Sequence, residues 1–174
     1  MGGGGPERAW VRGAQGGDVS SLEALFRHHW PAAYRAAYLV VHDAAAAEDI
    51  AQEAFLAAVR NLDRFDRRRP FGPWLHRIVV NRAIDWARMR ALRPEVRGDA
   101  LAGVAAPEHA QSAEGVLEAV RSLSPEHRAV IVLRYLLEYT PGEIARLLDL
   151  PRGTVNSRLR RALDALGERL EDDR

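Results

Sequence analysis

The sequence predicts an all-α protein built from two small helical domains, and three observations carry that expectation. Apolar residues recur at three- and four-residue spacing along most of the chain, with no convincing strand-like alternation. Helix-start signals, Asp or Ser/Thr with Pro next to it, stand where these runs begin. One stretch, 91–113, breaks the pattern with Pro94, Gly98, Gly103 and Pro107 and lacks large apolar periodicity, as a flexible linker does. The length of 174 residues suits one medium domain or two small ones. The absence of cysteine excludes a disulfide framework, a thiolate metal site and a cysteine nucleophile. No apolar run is long enough to span a bilayer, and MGGGGPERAW lacks the apolar stretch of a secretory signal. A cytoplasmic protein without direct membrane insertion is therefore expected.

The elements follow in order. Residues 1–19, with a glycine run from Gly2 to Gly5, are expected to be a disordered extension. From 22 to about 41, Leu22, Leu25, Phe26, Ala33, Ala37 and Val40 recur at helical spacing. Asp43 is positioned to cap the next helix, in which Ile50, Ala54, Ala58 and Leu62 form a stripe with Phe55 and Val59 beside it. Three successive arginines followed by Pro70, Gly72 and Pro73 make 64–73 a loop, and another helix runs from 74 to about 89. These elements form a first domain over 20–90. Helical pattern resumes near Glu114, and Ser124-Pro125-Glu126 starts a further helix. Thr140, Pro141 and Glu143 read as a capping box. Leu150-Pro151-Arg152-Gly153 then halts the chain before Thr154 opens the last helix, and the second domain covers 114–174.

Charge is unevenly distributed. All 25 basic residues are arginine, and they concentrate in two islands, 60–97 and 152–161, within an otherwise acidic chain. Two separate contacts with a polyanion are implied. The C-terminal island lies in TPGEIARLLDLPRGTVNSRLRRALDA, a short helix, tight turn and second helix. At about 100° per residue, Leu159, Leu163, Leu166 and Leu170 fall on the side of Val155 and are expected to face the core. Ser157, Arg160 and Arg161 fall opposite, with Asn156 and Arg158 on the flanks. These residue types bond base edges and phosphates, and acids (Asp164, Glu168) appear only further along. The pattern favours insertion of the helix N-terminus into a DNA major groove.

The N-terminal island interleaves Phe65, Phe71, Trp74 and Trp86 with Arg64, Arg67, Arg68, Arg69, Arg77, Arg82, Arg88 and Arg90. Cations tracking phosphates beside aromatic faces suit single-stranded or melted nucleic acid. Arg77, Asn81, Asp85 and Arg88 share one helical face; Asn81 can pair with a base edge, and Asp85 can orient Arg88. The tryptophans are expected in the core, so Phe65 is the better candidate for base contact. On the preceding helix Asp49, Gln52 and Glu53 make an acidic side suited to a basic protein surface. His42, Asp49 and Glu53 are too far apart along the chain for one metal site, and neither metal nor cofactor is expected. The histidines at 28, 29, 42, 76, 109 and 127 show no nucleophile–base–orienter spacing, which argues against a hydrolase.

DIAQEAFLAAVRNLDRF, PFGPWLHRIVVNRAIDWAR and SPEHRAVIVLRYLLEYTPGEIARLLDLPRGTVNSRLRRAL, in that order, resemble a bacterial extracytoplasmic-function sigma factor. This is the smallest class of the sigma-70 family, with region 2 and region 4 only, and the resemblance covers about 20–170. It implies that Asp49, Ile50, Gln52, Glu53 and Phe55 belong to the helix that docks on the clamp of core RNA polymerase. Arg64, Phe65, Arg67, Arg68 and Phe71 would belong to the loop that captures a flipped base of the promoter −10 element, with Trp74, Arg77 and Asn81 supporting strand opening. Arg152, Thr154, Asn156, Ser157, Arg158, Arg160 and Arg161 would form the −35 recognition helix. The resemblance further implies an anti-sigma factor as partner and no enzymatic activity of the chain itself. Two departures stand out: Asp149 occupies a turn position where glycine is usual, and Phe65-Asp66-Arg67-Arg68-Arg69 replaces a short Arg-Gly pair. The competing reading is a helix-turn-helix transcription regulator whose N-terminal half senses a ligand or dimerises.

Overall fold

Asp43 and Asp18 show how local chemistry starts the long helices. In the computed structural model, which describes residues 4–92 and 108–172, the Asp43 carboxylate accepts from the Ala46 N–H at 3.0 Å and opens α3 (Ala44–Arg60). Asp18 accepts from the N–H groups of Ser20 and Ser21 and opens α2 (Val19–Val41). With α4 (Phe71–Ala91) these helices form a three-helix unit whose contact faces are rich in alanine: Ala33, Ala36, Ala37, Ala47, Ala54, Ala58 and Ala83 are all fully buried. Small side chains at the contacts let helix axes approach closely. Leu25, Val40, Leu75, Val79 and Val80 fill the remaining space.

The N-terminus corrects an expectation. Residues 1–19 were expected to be disordered, yet α1 (Gly4–Gln15) is a helix packed on α2. Trp10, Val11 and Ala14 lie at i, i+1 and i+4, Val11 is buried, and Trp10 and Ala14 pack against the core. Helical glycine costs about 1 kcal/mol against alanine, a penalty that this apolar face and two polar anchors described below offset.

The second unit comprises α5 (Glu108–Ser122), α6 (Pro125–Ile131), a single wider π turn (Val132–Leu136), α7 (Pro141–Leu148) and α8 (Arg152–Asp172). No strand occurs among the described residues, and the all-α class holds. The Ser124 cap and the Thr140–Glu143 capping box form as expected. Of the expected linker, 93–107 lies outside the described residues, and α5 already begins at Glu108. The core face of α8 also shifts. Val155, Leu159 and Ala162 are buried, whereas Leu163 and Leu170 are 44% and 37% exposed. The facing helices cover a narrower stripe than the helical angle alone suggested. The core runs on between the units, with α4 packed on α6 and α7, and α2 on α6.

Candidate nucleic-acid and polymerase interfaces

The arginine-rich loop is a scaffolded structure. A one-turn 3-10 segment, Leu62–Arg64, buries Leu62 and turns the chain so that Phe65 points inward. The Asp66 carboxylate accepts from the Arg68 N–H at 2.9 Å and the Asp66 carbonyl from the Arg69 N–H at 2.9 Å, a side-chain-stabilised turn. Arg64, Arg67, Arg68 and Arg69 all stand exposed around it. Phe65 itself does not. It is 8% exposed, its ring lying 4.6 Å from that of Trp74 and 5.8 Å, edge to face, from that of Phe71. The expectation that Phe65 is free is thus overturned: Phe65 and Phe71 are the buried pair, while Trp74 packs against the core as expected yet keeps part of its surface accessible. The reason is the 3-10 turn, a three-residue feature that leaves no periodic signal. The outcome is a cleft of about 520 Å³ with Phe65 and Trp74 in its lining and Arg64, Asp66 and Arg69 at its polar side.

Two residues outside every sequence-based assignment hold this loop. The Gln15 side-chain amide donates to the carbonyl oxygens of Leu62 (2.8 Å) and Phe65 (3.0 Å). Glu7 Oε1 accepts from the Phe71 N–H at 2.8 Å, satisfying a free donor at the start of α4. The short apolar stripe of α1 was the available signal, masked by the neighbouring glycines. On α4 itself Arg77 and Asp85 are exposed and Asn81 is half-buried. Arg88 keeps a long ion pair with Asp85 at 3.8 Å, but its closer partner is Glu126 on α6, whose Oε1 lies 2.6 Å from Arg88 Nε.

The C-terminal helix-turn-helix closes through Asp149, which adopts the left-handed conformation (φ 54°, ψ 49°), while the Asp149 and Leu150 N–H groups both donate to the Ala145 carbonyl. A short polar side chain tolerates that conformation, so the turn forms without glycine. On α8, Arg152, Asn156, Arg160 and Arg161 are exposed, and Thr154, Ser157 and Arg158 are half-buried. Val155 and Leu159 root the helix in the core. Arg158 shares a crevice with Asn81, Asp85, Arg88 and Glu126, so the basic faces of the two units adjoin.

A third surface lies between α2 and α3. Asp49, Gln52 and Glu53 are exposed, and Glu53 pairs with Arg82 of α4 at 2.6 Å. Ile50 and Phe55, grouped with them by resemblance, are 5% and 6% exposed and serve as the anchors of that face. The accessible apolar groups beside it are Val19, Phe26, Leu56 and Val59, which with Leu22 and Gln52 line a groove of about 570 Å³. Val59 lies beside the stripe already read from the sequence, whereas Leu56 was in no sequence-based assignment; the exposure of both is set by the neighbouring helix.

The buried histidines lie elsewhere. His76 Nδ1 is 2.8 Å from the Tyr139 hydroxyl, a hydrogen bond between α4 and the segment before α7. Burial, with His29 adding to it, pushes His76 down to about 4. Burial raises the Tyr139 hydroxyl, with Glu143 and Glu7 adding to the effect. His42, the left-handed cap of α2, is pushed down to about 3 by burial and by the nearby Arg128 and Arg121 guanidinium groups. It forms no ligand group with Asp49 or Glu53.

Comparison with known proteins matches this arrangement along the chain. The Sigma-70 region 2 model matches residues 25–93, and the Sigma-70, region 4 model matches residues 113–166. The ECF RNA polymerase sigma factor SigW of Bacillus subtilis is 32% identical, over 93% of this chain and 95% of its own. SigL of Mycobacterium tuberculosis, also an ECF RNA polymerase sigma factor, is 33% identical over 94% of this chain and 97% of its own. The solved structure of CnrH in complex with the cytosolic domain of CnrY superposes with a TM-score of 0.73 at 29% identity, covering 98% of this chain and 100% of that one. The sigma factor RpoE of Bartonella quintana, solved with the anti-sigma factor NepR, has a TM-score of 0.74 at 24% identity over 90% of this chain and 100% of its own, and shares the fold. With an arginine-rimmed aromatic cleft in the first unit, a basic helix-turn-helix in the second and relatives along nearly its whole length, the chain belongs to the extracytoplasmic-function sigma factors and is an alternative sigma factor of RNA polymerase.

Proposed function

We propose that residues 20–90 bind the polymerase clamp and the −10 element, and that 114–174 bind the −35 element. The observation that carries this division is the occurrence of two basic faces of different chemistry in different units. One has aromatic rings in a cleft rimmed by arginine, which suits an unstacked base. The other is a helix with Asn156, Ser157 and arginines over its first turns, which suits a duplex groove. In the cleft, the accessible ring of Trp74 stacks the extruded base, with Phe65 and Phe71 as its backing. Arg64, Arg67, Arg68 and Arg77 neutralise the flanking phosphates, and Asn81 reads a base edge. Unpairing costs a few kcal/mol per base, and the captured base together with polymerase contacts offsets it. Arg152, Thr154, Arg158, Arg160 and Arg161 position α8 on the −35 duplex. The groove of Phe26, Leu56 and Val59, flanked by Asp49, Gln52 and Glu53, receives the clamp.

The chain performs no chemistry itself; nucleotide addition belongs to the polymerase, and the protein acts in the cytoplasm where that enzyme works. No described helix is long and apolar enough to cross a membrane. An anti-sigma factor that covers the α2–α3 groove is a further expected partner. Run-off transcription with core RNA polymerase, with and without this protein, on a promoter library tests the assignment. Initiation at specific sites only when the protein is present supports it. Tight binding of a palindrome by a dimer, with no initiation, would replace it with the regulator reading.

A further inference from the structure

Where α1 crosses α2, three side chains converge that the sigma-factor function does not use. Each of Glu7, His28 and His29 offers one ligand atom, and these atoms lie within 4.8 Å of one another, the only such group among the described residues. Glu7 Oε2 stands 3.2 Å from His29 Nε2, with the side chains 15% and 8% exposed. His29 Nε2 is buried and, apart from the Glu7 carboxylate 3.2 Å away, meets no polar partner. Burial keeps the imidazole neutral, so its nitrogen lone pair and the carboxylate oxygen are two donors that a small cation could bridge.

We propose that Glu7, His28 and His29 form a binding site for a divalent zinc-class cation that staples α1 to α2. Tetrahedral zinc binds nitrogen and carboxylate oxygen at about 2.0–2.2 Å, which sets neighbouring ligand atoms roughly 3.4 Å apart, and the Glu7–His29 pair already has nearly that separation. His28 is exposed, packs its ring against Trp10 at 5.5 Å, and needs only a side-chain adjustment to complete three ligands. Water would take the fourth place. Two imidazoles and one carboxylate suit zinc or a similar first-row ion over magnesium or calcium, which take oxygen ligands.

The surroundings are arranged as an outer shell. The second oxygen of Glu7 is held by the Phe71 N–H at 2.8 Å, which orients the carboxylate. Gly72 clears room for the His29 ring, since a Cβ there would lie 3.2 Å from His29 Cε1. Through Glu7 the site joins α1 to the start of α4. Through Gln15, on the same helix, it joins the turn that carries Phe65. A bound cation would therefore fix the mounting of the aromatic cleft.

The test is titration of untagged, chelator-stripped full-length protein with Zn2+ against a chromophoric chelator, together with thermal unfolding with and without Zn2+. One equivalent per chain and a Zn2+-dependent rise in Tm are expected. His28→Ala alters an exposed side chain, and Glu7→Gln preserves the hydrogen bond from Phe71, so both variants are expected to fold. Each should bind Zn2+ at least about tenfold more weakly and lose the Tm rise, whereas His127→Ala on α6 should bind as wild type does. Absence of stoichiometric binding by the wild type would overturn the proposal. So would binding that survives both ligand variants or is lost in His127→Ala. Transcription initiation is not the readout, so failure here and failure of the sigma-factor assignments are distinguishable.

Discussion

Replacing Phe65 by alanine separates a ring that contacts DNA from a ring that builds the cleft. Phe65 is 8% exposed and packs on Trp74 at 4.6 Å and Phe71 at 5.8 Å. Burial of a phenylalanine contributes about 1.5–3 kcal/mol, and each favourable aromatic pair adds about 0.5–1.5 kcal/mol. Core Phe→Ala changes cost about 3–5 kcal/mol. Phe65 borders an open cleft into which its neighbours can relax, so the lower end applies. We expect Phe65→Ala to lower the unfolding free energy of the protein alone by about 3 kcal/mol, read from the urea midpoint at unchanged slope. Phe65→Leu should lose about half as much and retain most open-complex formation. An exposed base-contacting ring would behave differently: its removal would leave stability within about 0.5 kcal/mol while opening failed. Unchanged stability of Phe65→Ala, or normal stability with failed opening in Phe65→Leu, would refute the supporting role.

Three further outcomes follow from the same geometry. Arg158→Ala with Arg161→Ala should weaken −35 duplex binding and reduce the slope of log K against log salt by about 0.9 for each phosphate no longer neutralised; an unchanged slope would take both residues off the DNA. Asp49→Arg with Glu53→Arg should weaken polymerase binding and its salt dependence, the more so because Glu53→Arg also faces Arg82; undiminished affinity would move the docking face elsewhere. His42, held at about 3 against an ordinary 6.5, is neutral when folded and takes up a proton on unfolding. The folded chain is therefore destabilised as pH falls below 6.5. By pH 5 the loss reaches at most about 2 kcal/mol from one shifted group, and partial exposure reduces it to about 1 kcal/mol. His42→Asn, which keeps a residue tolerant of the left-handed cap, should remove that share of the acid sensitivity. Equal pH dependence of urea midpoints in both proteins would contradict it.

What could be read from the residues divides by the range of the forces involved. The caps at Asp43, Ser124 and Thr140 involve partners within three residues, and each formed as the sequence implies. Asp149 in the helix-turn-helix is equally local: the turn demands a left-handed residue and a short polar side chain supplies it. The surface arginines were legible for another reason, since a solvated cation requires no packing partner to define its place. The misread positions all depend on distant chain. Phe65 is buried by Trp74 and by a turn held from Gln15, 50 residues away in sequence. Val11 and the rest of α1 are helical because α2 and the start of α4 receive them, although the helix opens on Gly4 and Gly5. Leu163 is exposed and Ala162 buried because the width of the stripe on α8 is decided by the helices facing it.

The cleft combines local and distant forces. Its cationic rim is specified by adjacent residues, whereas its aromatic wall depends on α1 through two side-chain hydrogen bonds from Gln15 and on α4 through Phe71 and Trp74. Substitutions in the rim should therefore act on phosphate affinity and salt dependence with little effect on stability. Substitutions in the wall, or in α1, should change stability and base capture together. A segment that reaches the loop through Gln15 can thus govern how well the cleft holds a base, because it fixes the backbone from which Phe65 hangs.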